Sequence, residues 1–161
     1  MIALAPWGML DTFRAGVEPF PPNFLQCWPL GIFLPSQAPS ANATFNFDIV
    51  VREGREMILD TLRQKYVVIT PEEWVRQNFV RYLIESLGYP QGRTAIETGF
   101  IFQGMQCRAD VLVYDKQGKA LLMGECKAPE IKLKQTVFDQ IGRYNTVVQA
   151  DYLVATNGLQ H

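Results

Sequence analysis

The sequence predicts an α/β fold, a central mixed sheet flanked by helices, and three stretches carry that expectation. Arg108–Asp115 and Ala120–Lys127 are apolar runs of strand length separated by Lys116-Gln117-Gly118-Lys119, the pattern of an antiparallel hairpin. Thr70 to Gly88 has the signals of a capped, largely apolar helix. Lys134 to Thr156 reads as a second helix followed by a buried strand, which would return parallel to the hairpin by a right-handed crossover. With 161 residues, 48% hydrophobic and 19% charged, the chain supports one globular core and is too short for two ordinary domains plus linkers.

In chain order, residues 1–45 form a Pro-rich extension. Pro6, Pro19, Pro21, Pro22, Pro29, Pro35 and Pro39 are seven of the ten prolines, and no hydrophobic period survives between them. The expectation is an extended or disordered segment. Its apolar pieces, such as Trp28–Leu34, are too short and Pro-broken to span a membrane, and no basic cluster opens the chain as in a signal peptide. The ordered domain is expected over residues 46–161. Phe45–Val51 alternates and turns at Glu53-Gly54 into Arg55–Leu59, a small hairpin, and Leu62–Ile69 follows as a basic link.

Thr70 is a good N-cap, Pro71 suits the first helical position, and Glu73 completes a Thr-x-x-Glu capping box. Trp74, Val75, Phe79, Val80, Leu83, Ile84 and Leu87 recur at helical spacing until Gly88. Thr94–Phe102 is the next strand, with Glu97 expected to be solvent-exposed, the alternative being an approach to the acidic site of the hairpin, and Gln103-Gly104 turning into the hairpin. Pro129 cannot continue a central strand. The helix from Lys134 to Gln149 has Val137, Ile141, Tyr144 and Val148 as its buried stripe, and Gln140 lies four residues before Tyr144 on a shared face. Asp151–Thr156 is the last strand. The chain stops three residues after Asn157-Gly158, so a fragment of a longer domain is expected.

Composition excludes several chemistries. Cys27, Cys107 and Cys126 form no CxxC and leave one unpaired, which indicates a reducing cytoplasm rather than a disulfide framework or a zinc knuckle. The only histidine, His161, stands at the end and argues against Ser-His or Cys-His catalysis. No GxxxxGK[ST] occurs, so this chain carries no ATP motor. Net charge is −1, and basic residues matter only locally, as at Lys127, Lys132, Lys134 and Arg143.

Carboxylate chemistry remains. Asp110 lies near the start of the first hairpin strand, with Glu125 and Lys127 near the end of the second, which in an antiparallel pair is the same end. One reading is a divalent metal site: Asp110 and Glu125 supply hard oxygens to Mg²⁺, with Mn²⁺ as a substitute, and Lys127 orients a water or offsets charge on a phosphate. The other is an ordinary ion-pair cluster, with Asp110 on Arg108 or Lys127 and Glu125 on Lys127. If the carboxylates repel, removal of any one should leave the fold intact or stabilise it.

Four words in order, Arg108-Ala109-Asp110, Glu125-Cys126-Lys127-Ala128-Pro129, Phe138-Asp139-Gln140-Ile141-Gly142-Arg143-Tyr144 and Thr156-Asn157-Gly158, resemble the N-terminal nuclease domain of type I restriction enzyme R subunits, of the PD-(D/E)XK nuclease superfamily. The resemblance spans about residues 46–161. It implies a restriction-endonuclease-like fold, Asp110 and Glu125 as metal ligands, Lys127 as catalytic lysine, and Gln140 and Tyr144 as a helix-borne pair beside the site. Ala109 stands where the family word has proline. Glu73 resembles the first-helix glutamate that faces the metal in some superfamily members, alongside its capping role. The function implied is Mg²⁺-dependent hydrolysis of DNA phosphodiesters, with DNA and other restriction-modification subunits as partners. The competing class is an inactive nucleic-acid-binding or assembly module with the same fold, and a nuclease acting on RNA or damaged DNA is a third option.

Overall fold

The computed structural model describes residues 45–160, so the expected extension lies, apart from Phe45, outside the described residues. Within them the chain is α/β, with two sheets and two α-helices. Strands β1 (Ile49–Arg52), β2 (Arg55–Asp60) and β3 (Lys65–Val68) form a three-stranded antiparallel sheet in that order. Helix α1 (Pro71–Arg81) runs into a wider helical turn at Tyr82–Ser86. Strands β4 (Thr94–Phe102), β5 (Met105–Tyr114) and β6 (Ala120–Cys126) are successively antiparallel, and α2 (Gln135–Val148) returns the chain so that β7 (Tyr152–Thr156) lies parallel beside β6.

Two elements differ from the sequence expectation. Leu62–Ile69 is not only a link: Lys65–Val68 pairs with β2, Leu59 opposite Tyr66, and supplies hydrogen-bond partners to an edge that a two-stranded hairpin would leave open. The capping box is half made. Thr70 has extended backbone (φ −94°, ψ 160°) and its Oγ1 accepts from the Glu73 N–H at 3.1 Å. The Thr70 N–H, however, donates to the Val68 carbonyl at 3.1 Å, and the Glu73 carboxylate is drawn to Arg63 and Arg76 instead.

The four-stranded sheet is covered on both faces. Val75, Phe79 and Val80 of α1 and Leu83 of the wider turn after it pack on Val111, Val113, Leu122, Cys126 and Val154. Ile141 of α2 packs on Ala109, Leu112, Met123 and Leu153 of the opposite face. Along β6 the side chains alternate accordingly, with Leu122 and Cys126 toward α1 and Met123 toward α2. Gly124 allows α1 its close approach, since a Cβ there would lie 2.7 Å from the Phe79 ring and 3.3 Å from Val111.

Candidate functional site

Register brings the carboxylates together. Val111 pairs with Gly124, and one step further Asp110 stands opposite Glu125. Ile96 pairs with Val111 and Thr98 with Ala109, which puts Glu97 opposite Asp110 on the other side. Three acidic residues therefore occupy one cross-strand row, an arrangement that destabilises a sheet unless opposite charges reach it. Those charges come from outside the row, from Arg63, Arg76, Arg108 and Lys127.

On the α2 side, Lys127 follows β6 directly and its N–H donates to the Thr156 carbonyl at 2.8 Å, extending the ladder to β7. Its Nζ donates to Glu125 Oε1 at 2.7 Å, and Gln140 Nε2 reaches the same oxygen at 3.3 Å. Burial raises the Glu125 pKa and the charge of Asp110 raises it further, more than Lys127 lowers it. Burial pulls the Lys127 pKa down, but its bond to Glu125 and the charges of Glu125 and Asp110 carry it up on balance, so the ammonium keeps its proton. Tyr144 stands one contact further out, its phenol beside Cys107 and Gln140 and its ring edge-on to Phe100 and Phe102 at 5.3 and 5.8 Å. Asp110, Glu125, Lys127, Gln140 and Tyr144 thus lie in one contiguous set.

On the α1 side, Asp110 is held at both oxygens. Oδ2 accepts from the Cys126 N–H at 2.7 Å and Oδ1 from Arg76 at 3.1 Å. Glu73 lies behind Arg76 and does not touch Asp110 or Glu125: Oε1 accepts from Arg63 at 2.7 Å and Gln77 at 2.8 Å, and Oε2 from Arg76. Its neighbour Glu72, half-exposed, shares Arg76 with Asp110 at 3.2 Å. Glu97 is not simply exposed: it pairs with Arg63 and Arg108, and its backbone takes a positive φ of 50°.

Sequence reasoning missed Arg76, Arg63 and Asp60. Arg76 is 4% exposed, and its signal was legible, a charged residue between Val75 and Phe79 on the buried stripe of an otherwise apolar helix. Arg63 and the fully buried Asp60 had only a turn signal, an Asp bonding the backbone two and three residues on, and nothing that marked them as part of the site. Asp60 accepts from the Leu62 and Arg63 N–H groups and from Arg63 Nε at 2.6 Å, all in the turn that follows β2, and from Gln77 of α1 at 2.8 Å, a contact that depends on how α1 packs on that turn.

The donor set suits a hard cation. Six carboxylates, Asp60, Glu72, Glu73, Glu97, Asp110 and Glu125, meet four cations, Arg63, Arg76, Arg108 and Lys127, which leaves two negative charges uncompensated. Glu125 Oε2 takes no hydrogen bond from the described residues. Asp110 and Glu125 fit an ion that keeps most of its waters. Among the described residues no group of three or more His, Cys, Asp or Glu side chains is arranged to enclose a metal.

No helix among the described residues is long and apolar enough to cross a membrane. No curated protein and no solved structure gives a significant match to the chain. A family model described as the type I restriction enzyme R protein N terminus matches residues 71–161, which takes in α1, the four-stranded sheet, α2 and every acidic or basic residue of the site except Asp60 and Arg63. That span is more than half of the sequence, and the chain belongs to the family of type I restriction enzyme R protein N-termini.

Proposed function

We propose that the chain is a Mg²⁺-dependent endonuclease domain of restriction-endonuclease-like, PD-(D/E)XK type that hydrolyses DNA phosphodiester bonds, working in the cytoplasm with other restriction-modification subunits. The observation that carries the reading is the meeting of Asp110 and Glu125 across β5 and β6, with Lys127 at 2.7 Å from Glu125, in a chain of this family. Asp110 and Glu125 would hold Mg²⁺ or Mn²⁺, which when bound lowers the pKa of a coordinated water and draws charge from the scissile phosphate. The Lys127 ammonium, about a quarter exposed, stands where it can donate to a phosphate oxygen as charge develops there. Gln140 donates to the Glu125 carboxylate, and Tyr144 stands beside Gln140. Glu73 acts only through Arg76.

The test is plasmid cleavage. The 161-residue chain should nick or cut DNA with Mg²⁺ or Mn²⁺ and not with EDTA, and Asp110→Ala, Glu125→Ala and Lys127→Ala should each lower the rate at least a hundredfold, the scale for losing a group that stabilises the transition state. Cleavage that survives Glu125→Ala would place the activity elsewhere.

One observation favours the second reading, an inactive nucleic-acid-binding or assembly module: Asp110 already has a cationic partner in Arg76 at 3.1 Å, so a metal is not needed to offset its charge. On that reading DNA binds through Lys127, Lys132, Lys134 and Arg143 without a metal response.

A further inference from the structure

The guanidinium of Arg76 is unusually placed for a helix residue. Its two terminal nitrogens face Glu72 at 3.2 Å, Asp110 at 3.1 Å, Glu97 at 3.8 Å and Glu73. Its Nε–H is buried and has no partner, so orientation comes from those carboxylates alone. Behind it, Glu73 gives one oxygen to Arg76 and the other to Arg63, and Arg63 is clamped by Asp60 at the end of β2. A continuous run of charge-assisted bonds therefore leads from the three-stranded sheet through α1 to Asp110, whose remaining oxygen is fixed by the Cys126 N–H.

We propose that Arg76 is the positioning residue of the site: its planar fork, seated by Glu73 and Arg63, fixes the Asp110 carboxylate while its charge restrains the affinity of the site for a divalent cation. The proposal rests on the nuclease reading. Fork and charge are separable properties, because lysine keeps the charge but replaces the rigid planar fork with a single ammonium on a flexible stem. A carboxylate released from one of its two anchors still attracts a cation but meets it in many orientations, and misplacement on the order of 1 Å costs about a hundredfold in rate.

The experiment measures Mn²⁺ binding by calorimetry and plasmid cleavage in parallel for the wild-type chain, Arg76→Lys and Arg76→Met. Arg76→Met should bind Mn²⁺ more tightly, because a cation beside Asp110 is gone, and cut about a hundredfold more slowly. Arg76→Lys should bind Mn²⁺ within about threefold of wild type, since the charge remains, and still cut at least tenfold more slowly for want of the fork. Binding that improves while turnover falls is a pattern that neither a lost ligand nor a loosened fold produces. If Arg76→Met does not fold, Arg76→Lys decides alone. Cleavage by Arg76→Lys at the wild-type rate, or Mn²⁺ affinity that falls in step with cleavage, overturns the positioning role while leaving the nuclease reading intact. A wild-type chain that neither binds Mn²⁺ nor cuts overturns both.

Discussion

Asp110 and Glu125 stand opposite each other, but their surroundings give them opposite effects on stability. Glu125 is 4% exposed and its folded pKa is raised above the ordinary carboxylate value by burial and by Asp110. A carboxyl raised in this way contributes stability that is complete below its unfolded pKa and is lost as pH rises through the folded value. In EDTA, Glu125→Gln should therefore melt higher than wild type at pH 8 and no higher at pH 4, as read by Tm. A lower Tm at pH 8 would show that the Lys127 pair outweighs the burial. Asp110 instead satisfies the buried Arg76 and the Cys126 N–H. Asp110→Ala should cost about 1–3 kcal/mol in denaturant unfolding, the penalty for orphaning buried donors. The repulsion argument from sequence treated both carboxylates alike, because the arginine that separates them lies 34 positions from Asp110 along the chain.

At the scale of elements, Gly124 and the strand-to-loop junctions decide where the site sits. Gly124→Ala would drive a methyl into the Phe79 ring, 2.7 Å from the new Cβ, one residue before Glu125. Overpacking of this kind should cost about 1–3 kcal/mol and displace the end of β6 from α1, visible as a lower unfolding midpoint. A neutral effect would mean that α1 slides freely on the sheet. The hairpin, the Thr70 cap and the crossover to β7 were legible because each has a local pattern: two apolar runs of strand length around Gly118, a capping residue before an apolar helix, and a helix between two buried runs. Strand β3 was not, because four residues beginning at Lys65 carry too little pattern to outweigh their charged setting. Asn157 explains why Thr156-Asn157-Gly158 reads as a word: its side chain donates to the Ile131 carbonyl at 2.8 Å and accepts from the Leu159 and Gln160 N–H groups, which ties the loop after Lys127 to the end of β7.

For the molecule as a whole, the three-stranded sheet lies outside the span that the family model matches, yet Arg63 joins it to the site. Arg63 binds Asp60, Glu73 and Glu97 together, and Asp60 is 1% exposed. Removing one partner of a buried ion pair leaves the other uncompensated, so Arg63→Ala should lower unfolding stability by about 3 kcal/mol in chemical denaturation. A loss below about 0.5 kcal/mol would show that apolar contacts alone hold the sheet to α1. The candidate site was read from sequence as far as its strand and α2 residues. Of its arginine frame only Arg76 carried a signal, since the pairs Arg63–Glu73, Arg63–Glu97 and Arg76–Asp110 join segments distant in sequence.

The central claim is that Asp110 and Glu125 bind a divalent cation for hydrolysis of DNA, and an Mn²⁺ titration followed by Tm, with and without a DNA duplex, tests it most directly. A ligand at about a hundred times its Kd stabilises the folded state by about 2.7 kcal/mol. Wild type should therefore melt progressively higher as Mn²⁺ rises, and Asp110→Asn should lose that response while remaining folded. A wild-type chain that binds the duplex, shows no Mn²⁺ response and never cuts it would contradict the account and leave the binding or assembly module in its place.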